Sequence, residues 1–123
     1  MMQLGQLAQL RELAALKKEM ELAKLSRILA QRSALLTQER ALRQAEQAAR
    51  HAGLSGPVTG QMAEKFAAWT AHQTAEVARD LAALDPRIEA QRAIAAKAFG
   101  RTDVLQQLES RQKLAALGAR SKL

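Results

Sequence analysis

The feature that most constrains this chain is a long stretch without helix-breaking residues. Between Gly5 and Gly53 there is neither proline nor glycine, and leucine and isoleucine recur there at helical spacing. Two series of sevens interleave within it, namely Leu22, Leu29 and Leu36, and Ile28, Leu35 and Leu42. Together they predict an amphipathic helix of about 50 residues, or about 75 Å at 1.5 Å per residue.

Composition argues against most other fold classes. The 123 residues include 27 alanines and 19 leucines, but only three valines, three isoleucines and three aromatic residues. Strand-forming residues are therefore scarce, which argues strongly against a sheet. Because alanine buries little apolar surface, narrow seams between closely spaced helices are predicted in place of a thick core. The predicted fold is all-α and rod-like.

A cluster of glycine and proline divides the chain into two arms. Its residues, 53–59, predict a short turn, with Gly53 capping the first helix and Pro57 or Thr59 opening the second. The arms are predicted as helices over about 3–52 and about 60–117 that fold back as one antiparallel coiled-coil hairpin, a single domain.

The second arm carries apolar residues at an interval of eleven. These residues are Phe66, Val77, Ile88 and Phe99. An eleven-residue interval predicts a nearly straight or slightly right-handed stripe. Pro86 and Gly100 threaten the continuity of this helix, and we expect a kinked but continuous helix because the apolar pattern persists across both. In the antiparallel pairing, facing residue numbers total about 112.

The sequence contains no constellation typical of catalysis. It has no cysteine, which removes disulfides, thiolate metal sites and cysteine nucleophiles. His72 and Glu76 lie four residues apart, but two ligands do not make a metal site. A two-helix rod offers no pocket that shifts carboxylate pKa values, and no phosphate-binding glycine loop occurs. The prediction is a protein that is not an enzyme and uses no cofactor, metal or small-molecule substrate.

Charge and hydropathy indicate the kind of partner and the location. The net charge of +7 favours acidic partners. The basic excess is spread over both halves, and no aromatic residues interleave with Arg40, Arg43 and Arg50, which disfavours nucleic acid. No apolar run approaches the roughly 20 residues that span a bilayer, and the N-terminus lacks a secretory signal pattern. A soluble cytoplasmic protein without membrane insertion is predicted.

Two regions are candidate partner-binding surfaces. Near the turn, Phe66 and Trp69 share one helix face, where they either anchor an interface or cap the seam against alanines of the first helix. At the other end, leucines step by three and wind around the helix, so one partner helix cannot cover them all. These leucines are Leu4, Leu7, Leu10, Leu13 and Leu16. Another protein or further copies of the chain would cover this end.

The layout resembles the FliJ-type stalk proteins of flagellar and type III secretion export, which are small basic proteins made of one antiparallel coiled coil. The most specific part of the resemblance is an arginine followed by a Leu-x-x-Leu-x-x-Arg stretch. It is formed here by Arg101, Leu105, Leu108 and Arg111. Pro86 departs from the family pattern, and the chain is shorter than many members.

The resemblance implies a role in bacterial protein export, in the cytoplasm and peripheral to the inner-membrane export apparatus. The paired termini would enter the central hole of a hexameric export ATPase, and the hairpin surface would meet an export-gate protein or chaperones. The implied ATPase contacts are Leu7, Leu10, Arg101, Leu105, Leu108 and Arg111, and the implied gate or chaperone contacts are Arg40, Phe66 and Trp69. Two alternatives stay open: a coiled-coil oligomerisation or scaffold protein, and a basic nucleic-acid-binding rod.

Overall fold

The structure, a computed structural model, describes residues 3–53 and 57–121, and all of these except Gln3 lie in two α-helices. Helix α1 spans Leu4–Gly53 and helix α2 spans Pro57–Ser121. The described residues form no strand, which confirms the predicted all-α class. Within this part of the chain, neither helix has a segment long and apolar enough to cross a membrane.

The helix ends near the predicted turn follow from local sequence. Helix α1 ends at Gly53, but no described glycine has a positive φ, so Gly53 does not form the left-handed cap expected of a glycine at this position. Helix α2 begins at Pro57, whose fixed φ suits the first helical position and which lacks the N–H that would be unpaired there. The turn predicted over 53–59 is therefore too long, because residues 57–59 belong to α2. Residues 54–56 lie outside the described part of the chain.

Helix α2 continues through both residues that threatened to interrupt it. Pro86 and Gly100 lie within the helix. Pro86 is exposed and so is Ala82, whose carbonyl loses its helical donor, so water can satisfy that oxygen. The flanking residues Leu84 and Ile88 are both buried. The predicted continuity is confirmed.

Gly100 is a weak point of α2 that can be tested. A methyl group at Gly100 would meet no neighbouring heavy atom within 4 Å, so alanine fits without a clash. Because glycine is unfavourable inside a helix, we expect Gly100→Ala to raise the free energy of unfolding by about 0.5–1 kcal/mol, measured by urea denaturation. Gly118→Ala, equally open but near the end of α2, is the control, and its gain should be smaller because helix ends fray. Equal gains at both positions would contradict the prediction.

The described residues form two compact units, each built from a segment of α1 and a segment of α2. The terminal unit comprises the described residues of Met1–Ser26 and Glu89–Leu123, and the turn unit comprises those of Arg27–Ile88. In the terminal unit, residues progressively later in α1 contact residues progressively earlier in α2. The two segments are therefore antiparallel. The contacts are Arg11 with Glu109, Lys18 with Phe99, and Glu21 with Gln91. The predicted antiparallel pairing of the helices is confirmed. The residue numbers total the predicted 112 for Glu21 and Gln91, but 117 for Lys18 and Phe99 and 120 for Arg11 and Glu109.

The buried residues of α2 follow a seven-residue repeat, with alternating steps of three and four. They are Thr70, Val77, Leu84, Ile88, Gln91, Ala95, Ala98, Thr102 and Glu109. This is the period of a left-handed coiled coil, so the predicted eleven-residue stripe is wrong. Val77 and Ile88 belong to both patterns, whereas Phe66 and Phe99 are exposed.

Helix α1 shows the same repeat. Its buried and half-buried residues include Leu7, Ala14, Glu21, Ile28, Leu35 and Leu42. Of the two predicted leucine series, the one containing Ile28 therefore lies in the seam. The other series, Leu22, Leu29 and Leu36, lies beside the seam and is partly open to solvent, with 36–37% exposure.

Candidate partner-binding groove

A buried polar layer pairs the two helices in the terminal unit. Glu21 is 2% exposed, and Gln91 Nε2 donates to its Oε2 at 2.6 Å and to its backbone oxygen at 3.0 Å. The ammonium groups of Lys17 and Lys24 lie 2.9 and 3.2 Å from Glu21 Oε1. Hydrogen bonds from Gln91 and Lys17 lower the pKa of Glu21 from 4.5 to about 2. Because a buried carboxylate fits poorly against an apolar layer, this contact disfavours shifted alignments of the helices.

A second charged contact lies nearer the chain ends. Arg11 Nε is 2.7 Å from Glu109 Oε2, and Lys113 Nζ is 3.1 Å from Glu109 Oε1. Arg11 Nε has no aligned hydrogen-bond acceptor among the described atoms, so this contact acts as an ion pair. Glu109 and Arg11 are buried and half-buried, which makes the contact a second polar point of the seam.

An apolar groove of about 600 Å³ opens along one side of the terminal unit. Most of its lining residues lie, in the sequence, between the Glu21–Gln91 contact and the Arg11–Glu109 contact. Its lining residues are Leu10, Leu13, Ala14 and Lys17 from α1 and Gly100, Arg101, Val104 and Leu105 from α2. Leu13 and Val104 are 62% and 53% exposed. A concave apolar surface between two helices suits the apolar face of another helix.

The groove brings together part of the terminal surface predicted from sequence. Leu10, Arg101 and Leu105 all line it. Leu108 lies seven residues after Arg101, so it continues along the same side of the coiled coil, and it is exposed. Leu7 differs, because at 2% exposure it lies in the seam and offers no surface to a partner.

Five of the eight lining residues are not among the contacts predicted from sequence, namely Leu13, Ala14, Lys17, Gly100 and Val104. A seven-residue assignment of the seam identifies Leu13, Lys17 and Val104, since they occupy positions beside it. Arg111 lies seven residues after Val104 and therefore continues the same side, where it is exposed.

The exposed charged residues on the groove side of the terminal unit are all basic. Residues seven positions before or after a lining residue lie on the same side of the coiled coil. The basic residues among the lining residues and these positions are Lys17, Lys24, Lys97, Arg101 and Arg111. The exposed carboxylates of the unit occupy the other side of the two helices, at Glu12, Glu19, Glu89 and Asp103. The groove is therefore apolar at its centre and positive at its edges.

Phe66 and Trp69 form a separate surface in the turn unit. Their ring centroids are 5.7 Å apart with an angle of 28° between the planes, and they are 38% and 52% exposed. The buried residue nearby is Thr70, and both rings leave apolar surface open to solvent. Arg40 is also exposed, and no described contact joins it to the aromatic pair.

Two further features carry less chemical information. His72 Nε2 lies 3.1 Å from Glu76 Oε1, with both side chains exposed, and no group of three potential metal ligands occurs among the described residues. A second groove, of about 440 Å³ in the turn unit, has charges of both signs at its edges, Asp80 and Arg87. Neither feature specifies a ligand.

Comparisons of the chain with protein-family models, with curated proteins and with solved structures found no match.

Proposed function

We propose that this chain is a non-enzymatic coiled-coil adaptor that binds protein partners. The observation that carries the proposal is the groove of the terminal unit, where Leu13 and Val104 are exposed beside the seam. Exposed apolar side chains that line a concave surface are typical of protein-binding sites.

The particular role we propose is that of a stalk in a flagellar or type III export apparatus, bound to the hexameric export ATPase. The support is the resemblance carried by Arg101, Leu105, Leu108 and Arg111, which line the groove or continue its side. The exposed pair of Phe66 and Trp69 is the candidate contact for an export-gate protein or chaperones. On this proposal the protein works in the cytoplasm, at the periphery of the inner-membrane export apparatus.

The test is whether the purified chain stimulates or assembles the hexamer of its cognate export ATPase. We expect Leu105→Asp combined with Leu108→Asp to abolish the effect, because two carboxylates in an apolar contact lose their hydration without gaining a partner. Leu105 is half-buried, so circular dichroism must show unchanged helix content. Val104→Asp, at a 53% exposed position, gives a second variant for which folding is not at risk.

A matched control is Leu29→Asp combined with Leu36→Asp. These leucines are 36% and 37% exposed in the turn unit and do not line either groove. The control should keep full stimulation. If the wild-type chain neither stimulates nor assembles the ATPase, the stalk proposal fails.

A self-associating scaffold is the second candidate. It is favoured by Leu13, Leu16 and Met20, which are exposed on neighbouring turns of α1 and which further copies of the chain would cover. Sedimentation velocity would then detect a stable dimer or tetramer without any ATPase. Nucleic-acid binding, the third candidate, would show a steep salt dependence.

A further inference from the structure

The groove of the terminal unit combines an apolar centre with edges of a single charge, and this combination specifies its occupant. We propose that the groove receives an acidic amphipathic α-helix of about four turns, laid alongside α1 and α2 as a third helix of the terminal unit. The inference rests on the adaptor function proposed above and names the chemistry of the element that the partner contributes.

The apolar centre fits a helix because both walls of the groove are themselves helical. Leu10 and Leu13 of α1 lie on one wall, and Val104 and Leu105 of α2 lie on the other. A third helix between them would place its apolar stripe against both walls, as in a three-helix bundle. The groove volume of about 600 Å³ has room for several aliphatic side chains. Gly100 adds space, because its missing side chain would meet nothing within 4 Å.

The positive charges at the edges of the groove favour a partner with negative charge. Lys97, Arg101 and Arg111 form no ion pair with any residue that the structure describes, so an incoming carboxylate displaces no existing partner. Lys17 and Lys24 share one oxygen of Glu21, which leaves donor hydrogens on both ammonium groups. Glutamates flanking the apolar stripe of a helix would pair with these cations, as flanking charges do in coiled coils.

The length of the basic side sets the length of the partner helix. On α1 it runs from Leu10 to Lys24, about 21 Å at 1.5 Å per residue. On α2, Lys97 and Arg111 are the same number of residues apart. Each segment corresponds to about four turns of helix.

The other possible occupants fit less well. A bilayer surface is flat, whereas this surface is concave between two helices. Binding of single-stranded nucleic acid normally adds aromatic stacking, and the groove lining contains no aromatic residue. A duplex would contact the basic residues through its phosphates and would leave the apolar centre unused. The acidic side of a second copy, with Glu12 and Glu19, would bind through two different surfaces and would extend into open chains of molecules.

The experiment uses the full chain and a synthetic helical peptide of about three heptads with leucine at the core positions and glutamate at the flanking positions. The fluorescein-labelled peptide is kept at nanomolar concentration, where it does not associate with itself, and the protein is titrated by fluorescence anisotropy. We expect Lys97→Glu combined with Arg101→Glu to weaken binding by about tenfold or more. A second peptide with lysine in place of glutamate should show the opposite preference and bind this variant better than the wild type.

The matched control is Lys65→Glu combined with Arg79→Glu. Both residues are exposed on α2 within the turn unit, and the double change alters the net charge by the same amount. This control should bind the glutamate peptide with the wild-type affinity, apart from a small uniform effect that salt removes.

Several results would overturn the inference. It is wrong if the glutamate peptide does not bind, or if it binds the Lys97→Glu/Arg101→Glu variant and the wild type equally well. It is also wrong if vesicles rich in phosphatidylserine bind in place of the peptide with the same dependence on Lys97 and Arg101, or if sedimentation detects wild-type oligomers that dissociate in this variant. If the peptide fails while the export ATPase is still stimulated, only this inference falls. If the peptide binds and the ATPase does not respond, the stalk proposal falls and the groove assignment stands.

Discussion

Replacing Ile88 with alanine is expected to lower the free energy of unfolding by about 2–4 kcal/mol, whereas the same change at Ile94 should lower it by less than about 1 kcal/mol. Ile88 is 5% exposed and Ile94 is 44% exposed. Truncating Ile88 removes buried apolar contacts and leaves a void in the seam. Truncating Ile94 removes a side chain that is already half in water, and the better helix propensity of alanine offsets part of the loss.

The measurement is urea denaturation of both variants, followed by circular dichroism. Because both substitutions are isoleucine to alanine in one helix, the propensity difference cancels and burial alone separates them. The m-values should match that of the wild type, so that a shifted midpoint reports stability and not a changed unfolded state. Equal losses at the two positions would contradict the seven-residue seam.

The helices and their antiparallel pairing could be predicted because their signals are local and strong. Proline and glycine are missing between Gly5 and Gly53, and the next cluster of both residues coincides with the gap between α1 and α2. The effect of Pro86 on helix α2 could not be determined from sequence. A proline either ends a helix or is tolerated within it, depending on whether it faces the seam or solvent. The exposed position of Pro86 lets α2 continue.

The seam of α2 could not be predicted from large apolar residues, because small and polar residues fill much of it. Ala98, Thr70 and Thr102 are all buried. Each threonine satisfies its hydroxyl within its own helix: Thr70 Oγ1 donates to the Ala67 carbonyl at 2.9 Å and Thr102 Oγ1 donates to the Ala98 carbonyl at 3.0 Å. Such residues need no partner on α1 and allow the helices to approach closely.

The position of the aromatic residues was also predicted wrongly because the seam is filled by small residues. A close seam has little room for a phenyl ring, and Phe99 is 48% exposed. It lies under Lys18 Nζ, 5.0 Å from the ring centroid, where a cation–π contact covers one face. Large size therefore predicted burial wrongly at Phe99.

The candidate site was predictable in outline but not in detail. Leucines that wind around a helix indicate an uncovered end, and Leu10 and Leu13 are indeed exposed while Leu7 is buried. Which leucine faces the partner helix depends on the register of the seam, in which Glu21 and Gln91 face each other. A buried polar pair of this kind is not visible in a pattern built on apolar residues alone.

Replacing Glu21 with glutamine is expected to flatten the fall in stability that acid causes. The pKa of Glu21 is lowered from 4.5 to about 2 in the folded chain by its hydrogen bonds to Gln91 and Lys17. Since the folded state binds the proton less readily than the unfolded state, the stabilisation is fully present above pH 4.5 and is lost as the pH falls towards 2. In that window, the slope of the free energy of unfolding against pH should reflect the uptake of about one proton by Glu21 on unfolding in the wild type, and this contribution is absent in the glutamine variant.

Thermal unfolding at closely spaced pH values between about 2 and 6 measures these slopes. The control is Glu19→Gln, because Glu19 is exposed on the same helix and should leave the slope as it is in the wild type. Parallel curves for the wild type and Glu21→Gln would mean that Glu21 titrates alike in the folded and unfolded chains, and that its contact with Gln91 does not hold a charge in the seam. Flattening confined to Glu21→Gln would mean that the helices pair around an ionised carboxylate at neutral pH. In a shifted alignment of the helices, the charge of Glu21 would face an apolar layer without a partner. The residue that causes the loss of stability in acid would therefore also determine the register on which the groove depends.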